Sequence, residues 1–174
     1  YTQCFDAPKG LMANTPEKNS FSQHASIMAV LTGTVEAAEA SAVMEKLLYD
    51  TSLSQATFYY RFYLTRALKT TGMANRYYSE LKPWRDMIAN GLTTFAENPD
   101  PARSDCHAWS SSPNYDFLAT ICGIMPASPG FSSVIIEPAL GALKQASGTM
   151  PHPAGMISVD LQRKGMDGIE ATIN

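Results

Sequence analysis

Helices first and strands second is the fold class this sequence predicts, and three features predict it. Apolar residues recur at helical spacing through residues 22–123, with glycines where the runs stop. Beyond Pro126 the spacing shortens toward alternation between turns that contain Gly and Pro. The composition, 45% hydrophobic and 17% charged, is that of a chain that packs a core. The change of period falls near residues 124–131, and runs of helices followed by runs of strands indicate an α+β arrangement or, better here, two domains.

Length and charge narrow the classes further. At 174 residues the chain amounts to one ordinary domain or somewhat more. Its net charge of −3 is small, and Lys and Arg are scattered rather than clustered, so nucleic acid is not an expected partner. No apolar run approaches the roughly 18 residues that span a bilayer, and the N-terminus has neither a basic nor an apolar leader region, so no membrane association is expected. Cys4, Cys106 and Cys122 have no paired spacing and read as buried thiols, neither a disulfide framework nor a zinc site. His24, His107 and His152 are far apart, and no glycine-rich phosphate loop is present, so neither a metal nor a cofactor is expected.

Taken in order, residues 1–20 carry Pro8, Pro16, Gly10, Asn14 and Asn19 and read as connection. Ser22 is a candidate N-cap for a first helix that carries Ala25, Ile27, Met28 and Leu31 and stops at Gly33. Thr34 is a candidate cap for the second, whose stripe is Val35, Ala38, Ala42, Val43, Leu47 and Leu48. A third helix over 54–70, apolar almost all round with Phe58, Phe62, Leu64 and Leu68 among Tyr59, Tyr60 and Tyr63, reads as buried and ends at Gly72. The fourth runs over 75–90 with Tyr78, Leu81, Trp84, Met87 and Ile88 inward; Pro83 should kink or divide it, and Gly91 should stop it. A short fifth helix follows Ser110-Ser111-Ser112-Pro113, carries Tyr115, Phe117, Leu118 and Ile121, and ends at Gly123. Strands are then expected around Val134-Ile135-Ile136, through Met156, Ile157, Val159 and Leu161, and at Ile169 and Ile173.

Between the fourth and fifth helices lies the stretch with the richest chemistry, Gly91-Leu92-Thr93-Thr94-Phe95-Ala96-Glu97, followed by Asp105-Cys106-His107-Ala108-Trp109. Glu97 sits between an aromatic and the prolines of residues 98–101, where partial desolvation can poise a carboxylate as a base. His107 can donate to a sugar hydroxyl or hold a water, and Trp109 can stack on a sugar face. Residue pattern alone favours plainer roles: a solvated loop glutamate, a half-buried histidine, a core tryptophan and a loop-bracing Asp105. Ser110-Ser111-Ser112 lacks a nucleophile frame and reads as capping. The aromatic segment 58–63 is more often core than binding platform, though one or two of its tyrosines can reach a cavity.

Several motifs in their order resemble the bacterial α-L-rhamnosidases of glycoside hydrolase family 78. They are Ser22-Gln23-His24-Ala25, Gln55-Ala56-Thr57-Phe58-Tyr59 leading to Phe62-Tyr63-Leu64, Trp84 with Met87, Gly91-Leu92-Thr93-Thr94-Phe95-Ala96-Glu97, Ser104-Asp105-Cys106-His107-Ala108-Trp109-Ser110, and Pro129-Gly130-Phe131. Nearly the whole chain is covered. The resemblance implies that residues 1–124 are the C-terminal half of a six-hairpin (α/α)6 catalytic barrel and 125–174 part of a C-terminal β-sandwich. It implies hydrolysis of a terminal α-L-rhamnosyl bond with inversion, for which one carboxylic acid protonates the leaving oxygen and one carboxylate activates water.

By its place in the Thr-Thr-x-x-Glu motif, Glu97 matches the family's general base, and His107 matches its substrate-contacting histidine. Trp109 beside them is expected to line the sugar pocket. Many relatives carry tryptophan where this chain has Ala96, which implies a more open wall beside Glu97. The family's general acid lies in an upstream motif that nothing in this chain matches. The chain is therefore expected to be a fragment of a larger bacterial glycosidase, cytoplasmic or periplasmic, inactive alone, and associating with the remainder of its parent or with itself. Rival expectations are another six-hairpin glycosidase with a different sugar, or a non-catalytic carbohydrate-binding or structural protein.

Overall fold

The computed structural model describes residues 3–99, 102–166 and 168–174. Helices and short antiparallel sheets are mixed along the chain. Contacts group it into two compact units, Tyr1–Met73 with Thr94–Ser110, and Ala74–Thr93 with Ser111–Asn174.

In the first unit, the turn-rich N-terminal stretch that reads as connection is instead a small hairpin. Strands β1 (Phe5–Asp6) and β2 (Leu11–Met12) pair antiparallel, Phe5 opposite Met12 and Asp6 opposite Leu11. Its turn is closed by the Asp6 carbonyl, which accepts from Gly10 N–H at 2.7 Å, and by the Asp6 carboxylate, which accepts from Lys9 N–H at 2.9 Å. Leu11, Met12 and Ala13 are buried. The Pro/Gly/Asn signal marked the turns correctly; the apolar triplet within it is what draws the hairpin onto the core.

Helix α1 (Gln23–Leu31) begins as expected, with the Ser22 hydroxyl accepting from Ala25 N–H at 3.4 Å, and ends at Thr32 with Gly33 just beyond at φ 68°. Helix α2 (Ala37–Tyr49) starts later than a Thr34 cap would place it, at Glu36. The Thr34 hydroxyl shares a hydrogen with Thr32 at 2.9 Å, and Val35 is buried with its N–H on the Ala29 carbonyl at 3.0 Å, so the chain descends into the core before it can coil.

Helix α3 (Phe58–Thr70) is likewise shorter than the apolar pattern. Residues 54–57 stay outside the helix and are tied to the start of α1. Ser54 N–H donates to the Phe21 carbonyl at 3.2 Å and its carbonyl accepts from Gln23 N–H at 3.0 Å. The buried Gln23 amide then links three elements, accepting from Ala56 N–H at 2.8 Å and donating to the Leu47 carbonyl at 3.0 Å. Around it Ile27, Val30, Val43, Met44, Leu47, Leu64 and Leu68 form the core. Only the face of α3 with Phe58, Leu64, Thr65, Ala67 and Leu68 is buried, so the helix is not enclosed all round as its aromatic content implied.

In the second unit a 3₁₀ turn (Ala74–Arg76) leads into α4 (Tyr77–Glu80) and α5 (Lys82–Ala89). Pro83 divides the expected single helix by taking the first turn of the second half, where its missing N–H costs nothing. Tyr77, Leu81, Trp84 and Met87 are buried, but Tyr78 is only half-buried and Ile88 is exposed. The break at Leu81 rotates the inward stripe.

Helix α6 (Ser112–Asp116) runs into a π-turn (Phe117–Ile121). The wider turn moves Pro113, Asp116, Ala119, Thr120 and Ile121 inward and leaves Tyr115 and Phe117 exposed, contrary to the regular helical reading. Strands β3 (Ile124–Pro126) and β4 (Val134–Ile136) form an antiparallel pair. A separate three-stranded antiparallel sheet is formed by β5 (Gln145–His152), β6 (Gly155–Lys164) and β7 (Gly168–Ile173), in that order. Register places Gly148 opposite Val159 and Ala146 opposite Leu161, both β6 residues being buried. Gly148 lets β5 lie directly on the π-turn, since a Cβ there would come within 2.6 Å of Leu118 Cδ2 and 2.8 Å of Cys122 Sγ. Among the described residues no helix is long and apolar enough to cross a membrane.

The passage from helix to strand turns on Gly123, at φ 74°, where an added Cβ would fall 2.2 Å from the Glu137 carbonyl carbon. Gly123→Ala should destabilise by more than about 2 kcal/mol through combined strain and overlap. Gly91→Ala, at φ 81° with nothing within 4 Å, should cost only about 1 kcal/mol. Urea midpoints of the two variants measure the difference; equal shifts would contradict the close-approach account.

Candidate active site

The segment Thr94–Ser110 belongs to the first unit and folds back on itself. His107 N–H donates to the Phe95 carbonyl at 2.7 Å, and Glu97 N–H donates to the Ser104 carbonyl at 2.8 Å. The Thr94 hydroxyl donates to the Asp105 carbonyl, and the Ser104 hydroxyl accepts from Cys106 N–H at 3.3 Å. These ties set Glu97 and His107 across from each other. Ser110 N–H on the His107 carbonyl, at 3.1 Å, closes a 3₁₀ turn (Ala108–Ser110) that carries Trp109. Of the expected proline brace over 98–101, Asp100 and Pro101 lie outside the described residues.

Glu97 is not the solvated loop glutamate that residue pattern favours, because it is only 6% exposed. Its charge is met by Arg103, whose Nε lies 3.0 Å from Oε2 and whose Nη2 lies 2.5 Å from Oε1, a two-pronged clamp. The partners are unequal: the Arg103 side chain is 78% exposed, so water screens the pair and its Coulomb gain is that of a surface contact, while the carboxylate bears the desolvation. His107 Nε2 stands 4.0 Å from Glu97 Oε1, too far for a direct hydrogen bond and near enough for one oxygen to bridge them. Ala96, where a more open wall was expected, is itself buried.

Beyond His107 the site continues as a row of rings. The Trp109 ring centroid is 4.4 Å from that of His107 and 5.4 Å from that of Tyr59 on α3. Tyr59 is 6.2 Å edge-on from Tyr63, Tyr63 is 5.2 Å from Tyr60, and Tyr60 is 4.1 Å from His24. A hydrogen bond with Tyr59 raises the Tyr63 phenol above its ordinary pKa, and burial raises that of Tyr60 and lowers that of the His24 imidazole. Trp109 and Tyr59 are 47% and 46% exposed, so neither is a core residue.

The structure thus brings Glu97, His107 and Trp109 together. Sequence reasoning missed Arg103 altogether, although a cation a few residues beyond an acid in one loop was the available signal. It saw the tyrosines of α3 only as core with an occasional reach outward. Asp105 braces the loop through its carbonyl. Cys106 is exposed and Cys4 half-buried, so only Cys122 is the buried thiol expected of all three. Among the described residues no group of three or more His, Cys, Asp and Glu could hold a metal ion. Compared with protein-family models and with curated proteins, the chain matches none.

Removing the clamp should leave a desolvated carboxylate without its countercharge. Arg103→Met is expected to destabilise by about 1–3 kcal/mol in urea unfolding. With Glu97→Gln already present it should cost less by at least about 0.5 kcal/mol. Additive losses would show that the two side chains do not act as a pair.

Proposed function

We propose that this chain is the base-bearing, C-terminal part of an inverting α-L-rhamnosidase, with residues 1–124 contributing to a six-hairpin catalytic barrel and 125–174 to a β-sandwich. The observation that carries the reading is the convergence of a buried, ionically clamped Glu97 with His107 and an exposed Trp109 on one loop. The motif resemblance supplies the sugar.

In this reading a water oxygen bonds to the anomeric carbon while the glycosidic bond breaks. Glu97 takes the proton from that water, and the leaving oxygen is protonated by a general acid that we assign to no residue of this chain. A base must be ionised before the reaction. Arg103 meets the carboxylate at both oxygens from a guanidinium that stands in solvent. His107, 4.0 Å from Oε1, holds the water or a sugar hydroxyl in the gap. Trp109 offers a ring face to the apolar side of the sugar. No metal or organic cofactor has a part in this proposal.

The partner we propose is the rest of the parent chain or, without it, a second copy. Ile88, read from the sequence as inward, is 73% exposed, as a helix face awaiting cover would be.

The test uses the complete enzyme to which the proposal assigns this chain. With an aryl α-L-rhamnoside, Glu97→Gln should lower kcat by about 10²–10⁴, the usual worth of a general base. Turnover within about tenfold of wild type would remove Glu97 from that role. A parent that prefers another glycoside in an aryl-glycoside panel would replace the sugar while keeping the reaction.

A further inference from the structure

The geometry points to Arg103 as the positioning residue for the proposed hydrolysis: its forked guanidinium fixes the plane of the Glu97 carboxylate so that Oε1, the oxygen beside His107, is the atom that takes the proton from water. This rests on the rhamnosidase reading for the reaction itself, and adds which oxygen is the base and what orients it.

Three observations carry it. The first is where the loop puts the side chains. Glu97 N–H is tied to the Ser104 carbonyl at 2.8 Å and His107 N–H to the Phe95 carbonyl at 2.7 Å, and Arg103 stands immediately before the first of these ties. Both ties and the ion pair lie within Thr94–Ser110, so the arrangement does not depend on what packs around that segment. The second is the form of the contact. Nε meets Oε2 at 3.0 Å and Nη2 meets Oε1 at 2.5 Å. A glutamate carboxylate turns about its last bond with little preference, so a single hydrogen bond would leave either oxygen free to face the imidazole. Two bonds from one planar group hold it in a single plane. The third is the gap. Oε1 stands 4.0 Å from His107 Nε2, a span that one water oxygen bridges with ordinary hydrogen bonds to both. A carboxylate oxygen accepts from more than one donor, so Oε1 can hold Nη2 and the water together.

Stability alone does not call for a fork. The Arg103 side chain is 78% exposed, so water screens the attraction, and a lysine would supply the same charge. What arginine adds is direction. Direction matters at a base, because displacing a reacting group by about 1 Å can cost on the order of 10² in rate. In the step itself the water oxygen bonds to the anomeric carbon as its proton passes to Oε1, the glycosidic bond breaks, and the leaving oxygen takes a proton from the general acid. Arg103 keeps its own protons and acts only through the carboxylate.

The experiment measures kcat and KM separately in the complete enzyme, with an aryl α-L-rhamnoside or whichever glycoside that enzyme prefers. Arg103→Lys keeps the charge and removes the fork; it should lower kcat by at least about tenfold and leave KM within about twofold, since only the transition state uses the aligned oxygen. In a Glu97→Gln background the same substitution should lower kcat by no more than about twofold, because no base remains to be aligned. A kcat for Arg103→Lys within about threefold of wild type, or a loss carried by KM, overturns the assignment. So does an equal fall in both backgrounds, which is what a purely structural arginine would give. If the enzyme prefers another glycoside and Arg103→Lys shows the expected split on it, the rhamnosidase reading falls and the assignment stands. A rhamnosidase in which Arg103→Lys is silent keeps the reading and loses the assignment.

Discussion

A carboxylate withdrawn from water must be given a countercharge or give up its own, and that constraint shapes everything around Glu97. The loop that carries it turns back so that Ser104 takes the Glu97 N–H and Phe95 takes the His107 N–H. Turning back delivers Arg103 to both carboxylate oxygens and His107 to one side of them. Had the loop run straight, the acid would have been solvated and the imidazole distant. The pair is asymmetric, one partner sealed and the other in solvent.

The scaffold serves this placement through the buried Gln23 amide, which links the first helix to the end of the second and to the approach to the third. That bridge holds Ala56 just ahead of α3, beside the Ser54 backbone ties to Phe21 and Gln23. The start of α3 in turn sets Tyr59 beside Trp109. A side chain that no pattern of hydrophobicity would single out therefore fixes the position of the aromatic row.

Legibility followed the range of the interaction. Ser22, Gly33, Gly72 and Pro83 act through their own neighbours, and the caps, stops and break they imply are present. Thr34 failed as a cap because Val35 is claimed by the core, and the N-terminal hairpin was hidden because its apolar triplet lies among turn residues. Tyr115 and Phe117 were placed inward by a regular period that the π-turn breaks. At the site, the residue types of Glu97, His107 and Trp109 were readable from their motifs. The burial of Glu97 and the clamp of Arg103 were not, since both depend on loop closure rather than on spacing. The exposed side of α3 was unreadable for a similar reason: an aromatic-rich stretch resembles core until its partners are known.

If Glu97 is the base, a nucleophile that needs no deprotonation should bypass its loss. With α-L-rhamnosyl fluoride and the Glu97→Ala variant of the complete enzyme, added azide should restore turnover, and the product seen by proton NMR should be β-L-rhamnosyl azide, inverted at the anomeric carbon. A variant that is as fast as wild type without azide, or that yields the α-azide, would contradict the account at its centre.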